Sequence, residues 1–162
     1  MHWRLAFITS TLIIGTIIAL TLAYLGWTRR RSTGANAFIL MMLAIAVWSI
    51  SYALELYTPL LTEKIFWHKM AYLGIPFVPL FWFIFNAQIL SFQFAKNAKW
   101  LAGLSVIPVV TTVLTVSLEH HGYIWGQFEL HYFSSLPYLH IVRLNDFYLF
   151  VGYSYVLLLI CL

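Results

Sequence analysis

Five apolar runs, each close to the length that crosses a lipid bilayer, make up most of this chain, and nearly every charge falls in the gaps between them. The runs are Leu5 to Trp27, Ala37 to Tyr57, Ile65 to Phe92, Trp100 to Leu118 and Phe147 to Leu162. A helix rises ~1.5 Å per residue and needs about 20 apolar residues to cross ~30 Å of hydrocarbon. The first four runs meet that length; the fifth ends mid-run with no polar exit or flanking cation, and reads as a piece whose continuation lies beyond Leu162. Charged residues are 9% of the chain, against roughly 25% in a soluble domain. With 62% of its residues hydrophobic, a chain of 162 residues has no water-soluble core large enough to hide them. The expected fold is therefore all-α: a polytopic transmembrane bundle of five membrane-spanning helices, forming one domain over residues 1–162. The first run is too long for the ~7–15-residue core of a signal peptide and leads directly into Arg29-Arg30-Arg31, so it reads as a retained helix.

Cations set the orientation, because short cytoplasmic loops collect Lys and Arg. With the N-terminus outside, the inner loops hold Arg29, Arg30, Arg31, Lys96 and Lys99 and no acid. The outer side holds four cations against five acids, which together recover the net charge of +4. The positive charge thus belongs to a membrane surface. No basic stripe interleaved with exposed aromatics points to nucleic acid. Cys161 is the single cysteine and forms no internal disulfide.

Within the helices, Thr11, Gly15, Ala19 and Ala23 line one face with small side chains, suited to close packing inside the chain or to a dimer seam. In the third run Thr62 and Glu63 suit a helix start, and Gly74-Ile75-Pro76-Phe77-Val78-Pro79 predicts a bend about two turns on. Each proline frees a carbonyl that, in hydrocarbon, needs a partner from a neighbouring helix or trapped water, so a kink beside a small pocket is expected. The bend is either a fixed shape or a hinge that moves with a signal. Asn86, Gln88, Ser91 and Gln93 suit interhelical hydrogen bonds, and Pro108 repeats the kink logic in the fourth helix.

No ionisable residue lies at mid-depth, which argues against an ion-coupled transporter. Glu55 stands two residues from the outer end of the second run, and Lys64, His68 and Lys69 enter from the same side on the next. This is either a rim salt bridge or a carboxylate that reads a ligand. The long outer loop, 119–146, carries Phe128 to Phe133 and Tyr138 to Arg143 on either side of Ser134-Ser135-Leu136-Pro137, a short β-hairpin candidate between the fourth and fifth helices. With Phe133 opposite Tyr138, His131 faces His140. Together with His120 and His121, the pair suits a Zn or Cu site, a proton sensor near the free imidazole value of ~6.5, or simple interfacial packing. No phosphate-cradling loop, nucleophile elbow or zinc-protease helix is present, so no catalytic residues and no cofactor are assigned.

Three stretches carry a family resemblance: Ala46-Val47-Trp48-Ser49-Ile50-Ser51-Tyr52-Ala53-Leu54-Glu55-Leu56, then Ile65-Phe66-Trp67-His68-Lys69-Met70-Ala71-Tyr72-Leu73-Gly74-Ile75 with Pro79, then Gly152-Tyr153-Ser154-Tyr155-Val156-Leu157-Leu158-Leu159, with His120-His121 between the second and third. From about Thr33 onward the chain resembles the N-terminal seven-helix membrane region found ahead of sensor histidine kinases and some diguanylate cyclases. It departs at Asn145-Asp146, where that family tends to carry Gly-Pro. The resemblance implies an N-out bundle in a prokaryotic cytoplasmic membrane, two further helices, a cytoplasmic output domain beyond Leu162 and a homodimer. It implies a sensory input module for an unidentified small-molecule or membrane-derived stimulus. The candidate sensing residues are Glu55, His68, Tyr72, Pro76 and Pro79 around the bend, with His120, His121, His131 and His140 outside. The rival readings are a transporter or channel subunit, which needs a polar water-filled path, and an assembly protein whose helices only pack.

Overall fold

The computed structural model describes residues 2–93, 97–117, 125–133, 136–143 and 145–160, with backbone alone for residues 2, 4, 125–133, 136–143, 145 and 146. Six helices and one hairpin follow in chain order: α1 (His2–Thr28), α2 (Ala35–Tyr57), α3 (Leu61–Ala71), α4 (Phe77–Ile89), α5 (Ala98–Val116), β1 (Trp125–Phe133), β2 (Leu136–Arg143) and α6 (Asn145–Ile160). Helices α1, α2 and α5 are long and apolar enough to cross a membrane. Helix α4, with 13 residues, and the apolar part of α6, Phe147–Ile160, are shorter. Side chains such as Phe7, Ile14, Ile17, Val113 and Leu159 point outward, the reverse of a soluble surface.

Helix α2 is the hub, touching α1, α3 and α4. Its buried residues include Ala35, Ala37, Ala44, Ala46 and Ala53, and these small side chains let neighbouring backbones close in. Against it, α1 buries Thr16, Ala19 and Ala23, so the C-terminal half of the small-residue face packs inside the chain. Thr11 is exposed, and a Cβ on Gly15 would meet nothing within 4 Å. Ala23, Ile39, Met41 and Met42 form the apolar core, with Phe38, Ile45, Phe81 and Trp82 packed around it.

The third run corrects the expectation of one helix over 65–92. It folds as α3 and α4, separated by a tight turn at 72–76 in which Leu73, Gly74 and Phe77 each donate to the carbonyl three residues back. Position explains the split. Pro76 is the N-cap of α4 and Pro79 lies in its first turn, where the missing N–H has no intrahelical acceptor to lose. The prolines start a helix here rather than bend one. Helix α4 also ends before Phe92: Phe92 N donates to Ala87 O at 2.9 Å and Ser91 N to Gln88 O at 3.1 Å, with Ser91 left-handed at φ 57°. That is a Schellman stop with serine at the position glycine usually takes. Two smaller expectations also change. Leu60, rather than Thr62, is the N-cap of α3. Asn86 donates within its own helix, to Trp82 O at 2.8 Å, rather than across helices.

The hairpin forms, in a different register. Phe133 pairs with Leu136, His131 with Tyr138 and Glu129 with His140. Only two residues remain between the strands, so Leu136 and Pro137 belong to β2 instead of the turn, and the ladder slides by two. His131 and His140 are consequently diagonal rather than direct partners. Both strands run beside α3.

Candidate sensing site at the helix bend

The site is built where α2 ends and α3 begins. Pro59 cannot continue α2, and Thr58 closes it by donating both its N–H and its hydroxyl to Leu54 O, at 3.0 and 2.8 Å. Three residues later α3 starts and runs back along α2. This antiparallel return brings His68 to Glu55: His68 Nδ1 lies 3.1 Å from Glu55 Oε2, with Glu55 only 6% exposed. Lys64 is 1% exposed, and its Nζ donates to the Glu55 backbone carbonyl at 2.7 Å. The ion pair expected at the rim is present, and it joins a buried carboxylate and a buried ammonium with a half-buried imidazole across two helices.

One turn beyond His68, the buried Tyr72 sets its ring 5.3 Å from the imidazole. Gly74 then lets the turn rest directly on α2. A Cβ there would overlap the Ala44 carbonyl oxygen and stand 3.1 Å from the Trp48 nitrogen. Below the turn, Trp48, Ile75, Val78, Pro79, Phe150 and Tyr155 line a cavity of about 320 Å³ shared by α2, α4 and α6. The pocket expected beside the bend is present, and its lining is mostly apolar.

Two carbonyls at helix breaks find partners on other helices. Tyr72 O, at the C-cap of α3, accepts from Thr112 Oγ1 of α5 at 3.0 Å. An amide at position 108 would have bonded Leu104 O; the Tyr153 hydroxyl of α6 donates to it at 2.7 Å. One hydroxyl therefore satisfies a helix-end carbonyl and the other replaces the amide missing at Pro108, tying the bend to α5 and α5 to α6. Thr112→Val and Tyr153→Phe are each expected to cost about 1–2 kcal/mol, because a part-buried carbonyl among apolar side chains loses its donor. The two losses should add, since the α5 groups involved, Thr112 and Leu104, lie on opposite sides of Pro108 and share no partner. Denaturant titration of the single and double variants in mixed micelles measures both.

A family model described as the N-terminal 7TM region of histidine kinase matches residues 11–162. The chain belongs to that family. No curated protein and no solved structure matches it. In this 7TM-region chain, Glu55, His68, Tyr72, Pro76 and Pro79 gather around one bend. His131 and His140 lie in the hairpin, while His120 and His121 fall outside the described residues. Among the described residues, no group of three or more His, Cys, Asp or Glu could hold a metal ion. Sequence reasoning missed the burial of Lys64, the backbone contact at Gly74, and both hydroxyl donors. Counting four residues back from Pro108 points to one acceptor, Leu104 O, while Tyr72 O is marked only by the end of α3. Nothing local identifies Thr112 and Tyr153 as their donors.

Proposed function

We propose that this histidine-kinase 7TM region is a sensory input module in which the α2–α3 corner and the bend respond to an extracytoplasmic or intramembrane stimulus. The response passes through α5 and α6 to a cytoplasmic kinase or cyclase domain carried elsewhere in the full-length protein. The single observation that carries this reading is the Glu55–His68 pair: a buried carboxylate against a half-buried imidazole, between two helices of a largely apolar bundle and one turn from the bend. Buried charges are costly, and a stimulus that pairs, protonates or displaces one gains a few kcal/mol of leverage over helix arrangement. In this reading the N-terminus is extracytoplasmic, in keeping with five cations and no acid on the other side. Helices α3 and α4 cross the bilayer as a pair, α6 makes a fifth span, and two copies associate in a prokaryotic cytoplasmic membrane.

The test is the output of the full-length protein in membranes. Glu55→Gln keeps the side-chain shape and removes the charge, and it should shift basal kinase or cyclase activity by about fivefold or more, the effect of ~1 kcal/mol on a two-state equilibrium. Glu63→Gln alters an exposed acid on α3, the helix that carries His68, and should leave output unchanged. Equal output from wild type and Glu55→Gln, both folded and inserted, would favour a bundle that only packs.

A further inference from the structure

At the opposite end of the bundle from Glu55, the α1–α2 loop forms a second cavity of about 520 Å³, bounded by α1, α2 and α4. Its lining is divided by polarity. Leu25, Phe38 and Phe85 supply apolar walls, and Phe38 and Phe85 pack with ring centroids 5.7 Å apart. Arg29, Ser32 and Thr33 supply a cation and two hydroxyls at the loop. The backbone is shaped to keep this space open: Gly34 is left-handed at φ 81°, and a Cβ on it would press on the Phe85 ring at 3.1 Å. Arg29, Arg30, Arg31 and Lys99 mark this end, and the described acidic side chains, Glu55 and Glu63, lie at the other.

We propose that this cavity holds the headgroup and upper acyl chain of one anionic phospholipid. The phosphodiester would accept from the Arg29 guanidinium and the Ser32 and Thr33 hydroxyls, while the chain lies along Leu25, Phe38 and Phe85. Charge complementarity selects the occupant: guanidinium and hydroxyl donors with no carboxylate beside them suit a phosphate anion. The apolar walls separate a lipid from a soluble anion, which would leave them in contact with water. Anionic lipid occurs in both leaflets of a bacterial membrane, so the assignment does not depend on orientation. A lipid wedged between α1 and α4 would hold the first helix, which otherwise packs mainly on α2, against the rest of the bundle.

Native mass spectrometry of the full chain, purified from vesicles of phosphatidylcholine mixed with phosphatidylglycerol, tests this directly. Wild type should retain one phosphatidylglycerol in preference to phosphatidylcholine. Arg29→Gln should reduce that retention about fivefold, the worth of one cation at a lipid surface, whereas Arg31→Gln, which removes the same charge from outside the cavity lining, should not. Leu25→Trp, filling the apolar half at an exposed position, should lower retention of both lipids. Equal losses in Arg29→Gln and Arg31→Gln would overturn the site in favour of diffuse surface charge. Displacement of the lipid by inorganic phosphate, with phosphate then retained in its place, would overturn it in favour of a soluble anion.

Discussion

Gly74→Ala is expected to unseat the bend and cost more than about 3 kcal/mol of stability, since among the described glycines it is here that an added carbon meets the closest contact. The added carbon would coincide with the Ala44 carbonyl oxygen and meet the Trp48 nitrogen, and neither is the free end of a flexible side chain that could swing aside. Relief requires the whole turn to lift from α2. Overpacking against side chains typically costs 1–3 kcal/mol, and a rigid helix backbone yields less. Lifting the turn would also stretch the Thr112 contact and open the 320 Å³ cavity. Unfolding in mixed micelles, compared with Gly103→Ala, checks this. A Cβ at Gly103 would meet nothing within 4 Å, so that variant should lose little or gain slightly from improved helix propensity. A Gly74→Ala protein as stable as wild type would mean that the turn and α2 do not touch.

The second large effect is at Lys64. Lys64→Ala should cost about 3 kcal/mol, because it empties a site that is 1% exposed, removes the donor to Glu55 O and leaves the buried Glu55 carboxylate with one fewer cation. Lys64→Met keeps most of the stem and should recover more than half of that loss, since the methylene packing survives while the cost of desolvating an ammonium disappears. Denaturant titration of wild type and both variants in mixed micelles measures this, and a Lys64→Met protein no more stable than Lys64→Ala would mean that the stem packs on nothing.

Much of this architecture is legible in the chain because lipid is a simple solvent. Apolar run length predicted α1, α2 and α5 to within two or three residues at each end. The chemistry of Gly74, Pro76 and Pro79 marked the bend, and the need to satisfy freed carbonyls in hydrocarbon anticipated partners from other helices. The errors share a cause. Treating 65–92 as one span weighed hydropathy above the rule that proline is tolerated in the first helical turn, and so hid a helix start. The hairpin register failed because a four-residue turn and a two-residue turn give the same alternation of apolar residues, shifted by an even number. At the candidate site, proximity in sequence suggested Glu55 with His68, but the burial of Lys64 depends on how α3 lies along α2. That is a tertiary fact, with no trace in the spacing.

The two hydroxyl clasps have a mechanical consequence. In water, a carbonyl released from its donor is solvated at once, and a joint held by such a bond gives way by degrees. Tyr72 O and Leu104 O have no such reserve of solvent among packed helices, so each joint has a small set of settled positions, those in which some donor is present. Motion through α5 should then proceed in clicks rather than as a smooth flexing, and a bundle geared in this way would deliver a discrete on-or-off displacement from a graded push at its far end.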